Sequence, residues 1–160
     1  MLEINPWRGA VTAISAGGLP SFLDHLLRLG PEDRRQRFCH PVDDAYVRAY
    51  VAQIALKQHK IIGCFDGANM RGSAELIALG AIPSAPVEAT FTVEPDWCWQ
   101  GVERALLLRV ISAARGMGAR QLLLDRLEHN EALRRAVAQF DAEMVFGKDE
   151  CRAWLPLTPR

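Results

Sequence analysis

The sequence lacks an excess of either charge: 19 Lys and Arg stand against 19 Asp and Glu. It therefore has no basic surplus to hold a polyanion and no acidic tail to keep a disordered segment solvated, so no nucleic-acid partner is expected. It lacks paired cysteines. Cys39, Cys64, Cys98 and Cys151 are scattered, with no C-x-x-C spacing and no leader-like segment ahead of them, which leads to the expectation of a reducing, cytoplasmic setting. His25, His40, His59 and His129 fall on different elements without metal-ligand spacing, and the adjacent Cys39-His40 pair is badly placed to share one ion, so no metal site is expected. No apolar run approaches the roughly 20 residues that cross a bilayer, and no membrane partner is expected. Neither a Gly-x-Ser-x-Gly elbow nor a Gly-rich nucleotide loop is present, which removes hydrolase and kinase chemistry. With no internal repeat and 160 residues, the chain is expected to form one domain over 1–160.

What is present is a clear change of period along the chain. Arg8 to Ser15 reads as a first strand ended by Ala16-Gly17-Gly18-Leu19-Pro20. Ser21 is placed to cap a helix carrying Phe22, Leu23, Leu26, Leu27 and Leu29, which Gly30-Pro31 closes. Pro31 with Glu32 and Asp33 begins a charged helix, interrupted near Pro41 and resumed from Asp43 or Asp44 through Ala55. Lys60 to Phe65, the Asp66-Gly67 turn and Ser73 to Leu79 predict a hairpin. Val87 to Val93 alternates apolar and polar residues and stops at Glu94-Pro95. A helix follows from Gly101 or Val102 to Met117, then Gly118, a strand Gln121 to Leu124, a helix Glu131 to Phe140 behind Asn130, and two short strands within Glu143 to Leu157. The order predicts a mixed α/β sheet, mostly antiparallel, that runs into one β-α-β unit and carries helices on both faces.

Three strings in that order resemble a known family. Leu29-Gly30-Pro31-Glu32-Asp33-Arg34-Arg35 with Arg37-Phe38, Val87-Glu88-Ala89 ahead of Phe91-Thr92-Val93, and Ala113-Ala114-Arg115-Gly116-Met117-Gly118 resemble segments of bacterial GNAT-superfamily N-acetyltransferases, including those with protein-lysine acetyltransferase domains. The resemblance spans about Arg8 to Leu157 and implies the acyl-CoA N-acyltransferase fold, with acetyl-CoA as donor and an amine of a small molecule or protein as acceptor. A homodimer is compatible with it. It further implies that Phe91, Thr92 and Val93 offer main-chain groups to the pantetheine arm, so that the Thr92 side chain is expected to be replaceable. Cys98, Trp99, Gln100, Gly101, Val102, Glu103 and Arg104 would form the pyrophosphate loop and helix start, and Asn130 stands where the family usually has Asn.

The loop departs from the family pattern Gln/Arg-x-x-Gly-x-Gly/Ala at Cys98 and Glu103. A carboxylate at Glu103 repels phosphates if it points at them, and complements the helix dipole by about 0.3–1 kcal/mol if it points to solvent. Gly101 suits close backbone approach. Glu88 is the candidate general base, with an outward-facing strand residue as the plain alternative. Val137 occupies the position of the family's proton-donating tyrosine, and Asp141-Ala142 replaces the usual Gly-Phe. A second reading is a relative that keeps the fold as a ligand-sensing or interaction module. Arg34-Arg35-Arg37 reads as a solvated helix face in preference to contact with an adenosine 3′-phosphate, and Trp97 and Trp99 as core or interface aromatics.

Overall fold

The computed structural model describes residues 7–54, 56, 58–82 and 85–157. Seven strands form one sheet in the order β1-β2-β3-β4-β5-β7-β6. Strand β1 (Ala10–Ala13) pairs antiparallel with β2 (His59–Asp66), β2 with β3 (Asn69–Ala78), and β3 with β4 (Val87–Val93). Helix α4 (Val102–Gly116) then carries the chain to β5 (Gln121–Leu124), which lies parallel to β4. Strand β7 (Glu150–Pro156) pairs antiparallel with β5 and with the edge strand β6 (Glu143–Gly147). The predicted mixed sheet and its order are observed.

Alternation along the strands sorts the core into two layers. Ile62 and Cys64 of β2, Ala74 and Leu76 of β3, and Val87 and Ala89 of β4 point to one face. There they bury Leu106, Leu107, Val110 and Ala114 of α4 and Leu133 of α5 (Glu131–Val137). Each leucine, isoleucine or valine among them contributes about 1.5–3 kcal/mol of burial. Ile61 and Met70 point to the other face, against Phe22 and Leu26 of α1 (Leu19–Arg28), Phe38 of α2 (Pro31–Phe38) and Val47 of α3 (Asp44–Ala52). On α4 the 3.6-residue period is what aligns these positions on one stripe.

Some boundaries differ from expectation. Strand β1 is limited to Ala10–Ala13, because Ala16–Gly18 already winds into a 3₁₀ turn. Helix α1 begins at Leu19, not after Ser21: Pro20 sits in the first turn, where no amide donor is needed, and Gly18 is the cap residue. The third helix ends at Ala52, and Ala55 lies outside the described residues. The second hairpin arm starts at Asn69, after a two-residue turn of Gly67 (φ 59) and Ala68, so β3 is longer at its start than its apolar run. Helix α5 stops at Val137 rather than Phe140. No helix among the described residues is long and apolar enough to cross a membrane.

Candidate functional site

Strands β4 and β5 meet over only Val87↔Leu122, Glu88↔Leu123 and Ala89↔Leu124. Beyond Leu124 they part. The chain after β5 follows β7 instead, as the Leu127 amide donates to the Cys151 carbonyl at 2.8 Å. Arg126, with φ 58, turns the backbone outward, and its amide is held by Asp125 Oδ1 at 2.9 Å. Thr90 to Val93 of β4 therefore have no ladder partner on the β5 side. The wedge so opened is a cavity of about 340 Å³, in the size range of small-ligand sites. One wall is Thr90, Phe91, Thr92 and Val93, and the opposite wall is Asp125, Arg126, His129, Asn130, Glu131, Ala132 and Leu133. Leu29, Asp33, Gln36 and Arg37 close it from α1 and α2, and Cys98, Trp99 and Glu103 close the end nearest α4.

That end is built by strained turns. Trp99 has φ 66, and Gly101, the residue before α4, has φ 87, a conformation that costs any other L-residue about 1–2 kcal/mol. No side chain caps α4, so its first amides and the positive end of its dipole are left for another partner. One of them, the Glu103 amide, meets the carboxyl of its own residue, the second of the helix. Glu103 is 2% exposed and lines the cavity. Burial pushes its carboxyl up from the usual carboxylate range, against the pull of the amides of Glu103 and Trp99 and of the Cys98 thiol. Its Oε1 has no hydrogen-bond partner. Burial and the Glu103 charge together push the Cys98 thiol up to about 12.

Of the residues assigned from sequence, Phe91, Thr92, Val93, Cys98, Trp99, Glu103 and Asn130 line the cavity. Asn130 also caps α5, its Oδ1 accepting from the Leu133 amide at 2.9 Å. Gln100 is exposed and donates to the Asp96 carbonyl at 2.6 Å, Arg104 is exposed, and Val102 is fully buried in the core, so none of these three is part of the lining. Gly101 shapes the turn from behind. Glu88 is half-buried at the paired end of β4, opposite Leu123, outside the lining. Val137 is 0% exposed in the core.

Two expectations are corrected, and a third, for the tryptophans, holds for Trp97. The Thr92 side chain is not idle: its hydroxyl lies 2.9 Å from His25 Nε2 and 2.8 Å from Ser73 Oγ. The arginine run is not a solvated face, because only Arg35 is exposed, pairing with Glu32. Arg34 is buried, donating to the carbonyls of Leu29 and Leu27 and pairing with Asp44 at 2.8 Å. Arg37 is buried on Glu75, which also accepts from the Tyr50 hydroxyl at 2.6 Å, and Arg126 donates to the Arg37 carbonyl. Of the tryptophans, Trp97 packs on the core edge to face with Trp7, while Trp99 is 55% exposed on the cavity rim under the Arg135 guanidinium.

Sequence reasoning passed over Asp33, Gln36, Asp125, Arg126 and His129 as site residues. Asp33 and Gln36 lie on α2, within and beside the string that resembles the family, while Asp125, Arg126 and His129 belong to the segment after β5, whose place depends on the parting of β4 and β5.

A sheet of this order, split between its fourth and fifth strands with a helix start at the split, defines the acyl-CoA N-acyltransferase fold, and the fold is that of GNAT-superfamily acetyltransferases. The GNAT domain of S. lividans PAT superposes with a TM-score of 0.75 at 18% identity, over 92% of this chain and 89% of that one. A GNAT-superfamily phosphinothricin acetyltransferase from Sinorhizobium meliloti, solved in complex with AcCoA, gives 0.68 at 15% identity, over 93% and 88%. The PaiA N-acetyltransferase from Thermoplasma acidophilum, solved in complex with coenzyme A, gives 0.61 at 11% identity, over 92% and 99%. No family model matches the chain, and no curated protein sequence matches it.

Proposed function

We propose that this chain is an acetyl-CoA-dependent N-acetyltransferase that acts by direct attack of an amine on the donor. The observation that supports this reading best is the wedge between β4 and β5: from Thr90 to Val93 the β4 edge that faces away from β3 has no ladder partner, and it borders a cavity that ends at a helix start with no N-cap side chain. An extended arm with two amides finds ladder-like partners along Thr90 to Val93, and a thioester placed there supplies an activated acyl carbon. Solved proteins of this fold carry AcCoA or coenzyme A.

The chain's own part is positioning and proton removal. An amine attacks only as the free base, so a general base, commonly a carboxylate or His, takes its proton directly or through water. Glu88 is the candidate, since by alternation with Val87 and Ala89 it projects from the sheet face that carries Thr90 and Thr92. The acceptor enters from the α1 and α2 side, where Asp33, Gln36 and Arg37 form the rim. No tyrosine stands at Val137 to return a proton to the departing sulfur, and water fills that role.

Calorimetric titration with acetyl-CoA, followed by a thiol-release assay over lysine peptides, polyamines and aminoglycosides, tests the reading. Binding with amine-dependent thiol release supports it. Absence of binding at about millimolar ligand, a Kd worth about −4 kcal/mol, overturns it. A second reading, a ligand-binding module without turnover, is favoured by the Glu103 carboxyl seated at the helix start. Binding without thiol release for any amine selects that reading.

A further inference from the structure

The transferase reading leaves one group unexplained. Glu103 is buried at the point where the amides of α4 meet the cavity, its Oε1 is unpartnered, and among the described residues no cation pairs with it. The polar groups around it are few. The Cys98 thiol faces it from the loop, Cys64 faces it from β2 with a thiol pushed up to about 12, and Asp33 lies beyond Cys98 on α2 with its own carboxyl raised by burial. Of the cations on the cavity wall, Arg37 is already paired with Glu75 and Arg126 is tied to the Arg37 carbonyl. His129 and Glu131 belong to the far wall with Asp125.

A diphosphate and an ionised carboxylate therefore compete for one set of amides. Two anions a few Å apart in a partly dry site repel by several kcal/mol, and the less costly outcome is that one of them takes a proton. We infer that donor binding at this site is coupled to protonation of Glu103, the site taking the donor's diphosphate with uptake of one proton and releasing it as that carboxyl ionises. The inference rests on the transferase reading for the identity of the donor.

The sign follows from linkage. The carboxyl is held neutral more strongly with a diphosphate beside it than without, so the complex binds more protons than the free protein, and affinity falls as pH rises. The fall is about tenfold per pH unit between the free and bound ionisation points of Glu103, and flat outside them.

The test uses dephospho-coenzyme A, whose diphosphate does not titrate near neutrality, and pantetheine, which has the arm but no phosphate. Calorimetry from about pH 5.5 to about pH 8.5, in two buffers of different ionisation enthalpy, reads both affinity and protons taken up. Wild type is expected to bind dephospho-coenzyme A with uptake approaching one proton and an affinity that drops about tenfold per unit. Glu103→Gln is expected to bind about tenfold or more tightly at pH 8, with a flat profile and no uptake. Pantetheine is expected to bind without pH dependence in both proteins. A flat wild-type profile without proton uptake, or a Glu103→Gln protein that keeps the slope, overturns the inference while leaving the transferase reading in place. Failure of wild type, Glu103→Gln and Glu103→Gly alike to bind dephospho-coenzyme A and pantetheine overturns both.

Discussion

The Thr92 hydroxyl and the His25 imidazole are 2.9 Å apart, and through this contact the cavity wall is joined to helix α1. Glu94 Oε2 lies 3.1 Å from His25 Nδ1, and a carboxylate can only accept, so Nδ1 carries the proton and Nε2 accepts from Thr92. Arg28 and Arg71 complete the Glu94 shell at 2.8 and 3.2 Å. Thr92→Val removes one donor and leaves a buried nitrogen unsatisfied, with an expected loss of about 1–3 kcal/mol in urea denaturation. Thr92→Ser is expected to restore most of it.

Burial is the largest influence on His25 and lowers its pKa from 6.5, outweighing Glu94. The unfolded chain therefore takes up the proton first as pH falls. The stability owed to the neutral imidazole is complete above about pH 6.5 and declines below it until the folded state also titrates. Urea midpoints measured from about pH 8 to about pH 5 are expected to fall on the acid side in wild type, and to fall less in His25→Gln. An acid limb of equal size in both proteins would show that His25 is not responsible.

Glu103 has the opposite sign. Its carboxyl is raised by burial, so its charged form opposes folding. The penalty is absent below about pH 4.5 and grows as pH rises through the folded value. Glu103→Gln is expected to raise stability at pH 8 by about 1–2 kcal/mol, with no gain at about pH 4, in paired denaturation curves.

Arg37 and Glu75 form a buried ion pair between α2 and β3, with Tyr50 as third member. Arg37→Ala strands a carboxylate in the interior and is expected to cost about 3–5 kcal/mol. The double change Arg37→Met with Glu75→Leu is expected to recover most of that loss. A double-mutant cycle in urea reads the coupling directly. Additive losses would place the two residues in separate environments.

Gly72 of β3 lets α4 lie close to the sheet: a Cβ there meets Val102 Cγ1 at 2.8 Å and Leu106 Cδ1 at 3.3 Å. Gly72→Ala is expected to cost about 1–3 kcal/mol by overpacking, and Val102→Ala to relieve part of it when combined. Thermal melts of the four proteins of this cycle check the compensation.

Local pattern carried much of the fold. The alternation from Val87 to Val93 and the apolar run Gln121 to Leu124 predict β4 and β5 to the residue, because both strands sit on the α4 core and their periods are undisturbed. Helix α1 starts earlier than its cap signal because Pro20 serves equally as turn residue and as first-turn residue, and sequence alone does not choose. Arg37 is buried on Glu75, 38 residues away, a helix-to-strand pairing that no window of sequence contains. Arg34 has nearer partners, the Leu27 and Leu29 carbonyls and Asp44, brought to it by the packing of α1, α2 and α3. The same holds for Glu103, whose two open orientations, toward phosphates or toward solvent, are decided by packing against Cys98 and Cys64. The network from Thr92 to His25 and Glu94 joins α1 to the end of β4 and has no local signature.

Because only three register pairs join β4 to β5, the sheet consists of two leaves, β1 to β4 on one side and β5, β7 and β6 on the other, hinged at Val87 to Ala89. Prying the leaves apart breaks few ladder bonds and is resisted by the core they share, in which Leu122, Leu124 and Ala153 pack with residues of β2 to β4, α4 and α5. A molecule inserted at the open end acts as a splint, supplying the main-chain partners that the diverging strands deny each other. Occupancy of the wedge is therefore mechanical reinforcement as well as recognition.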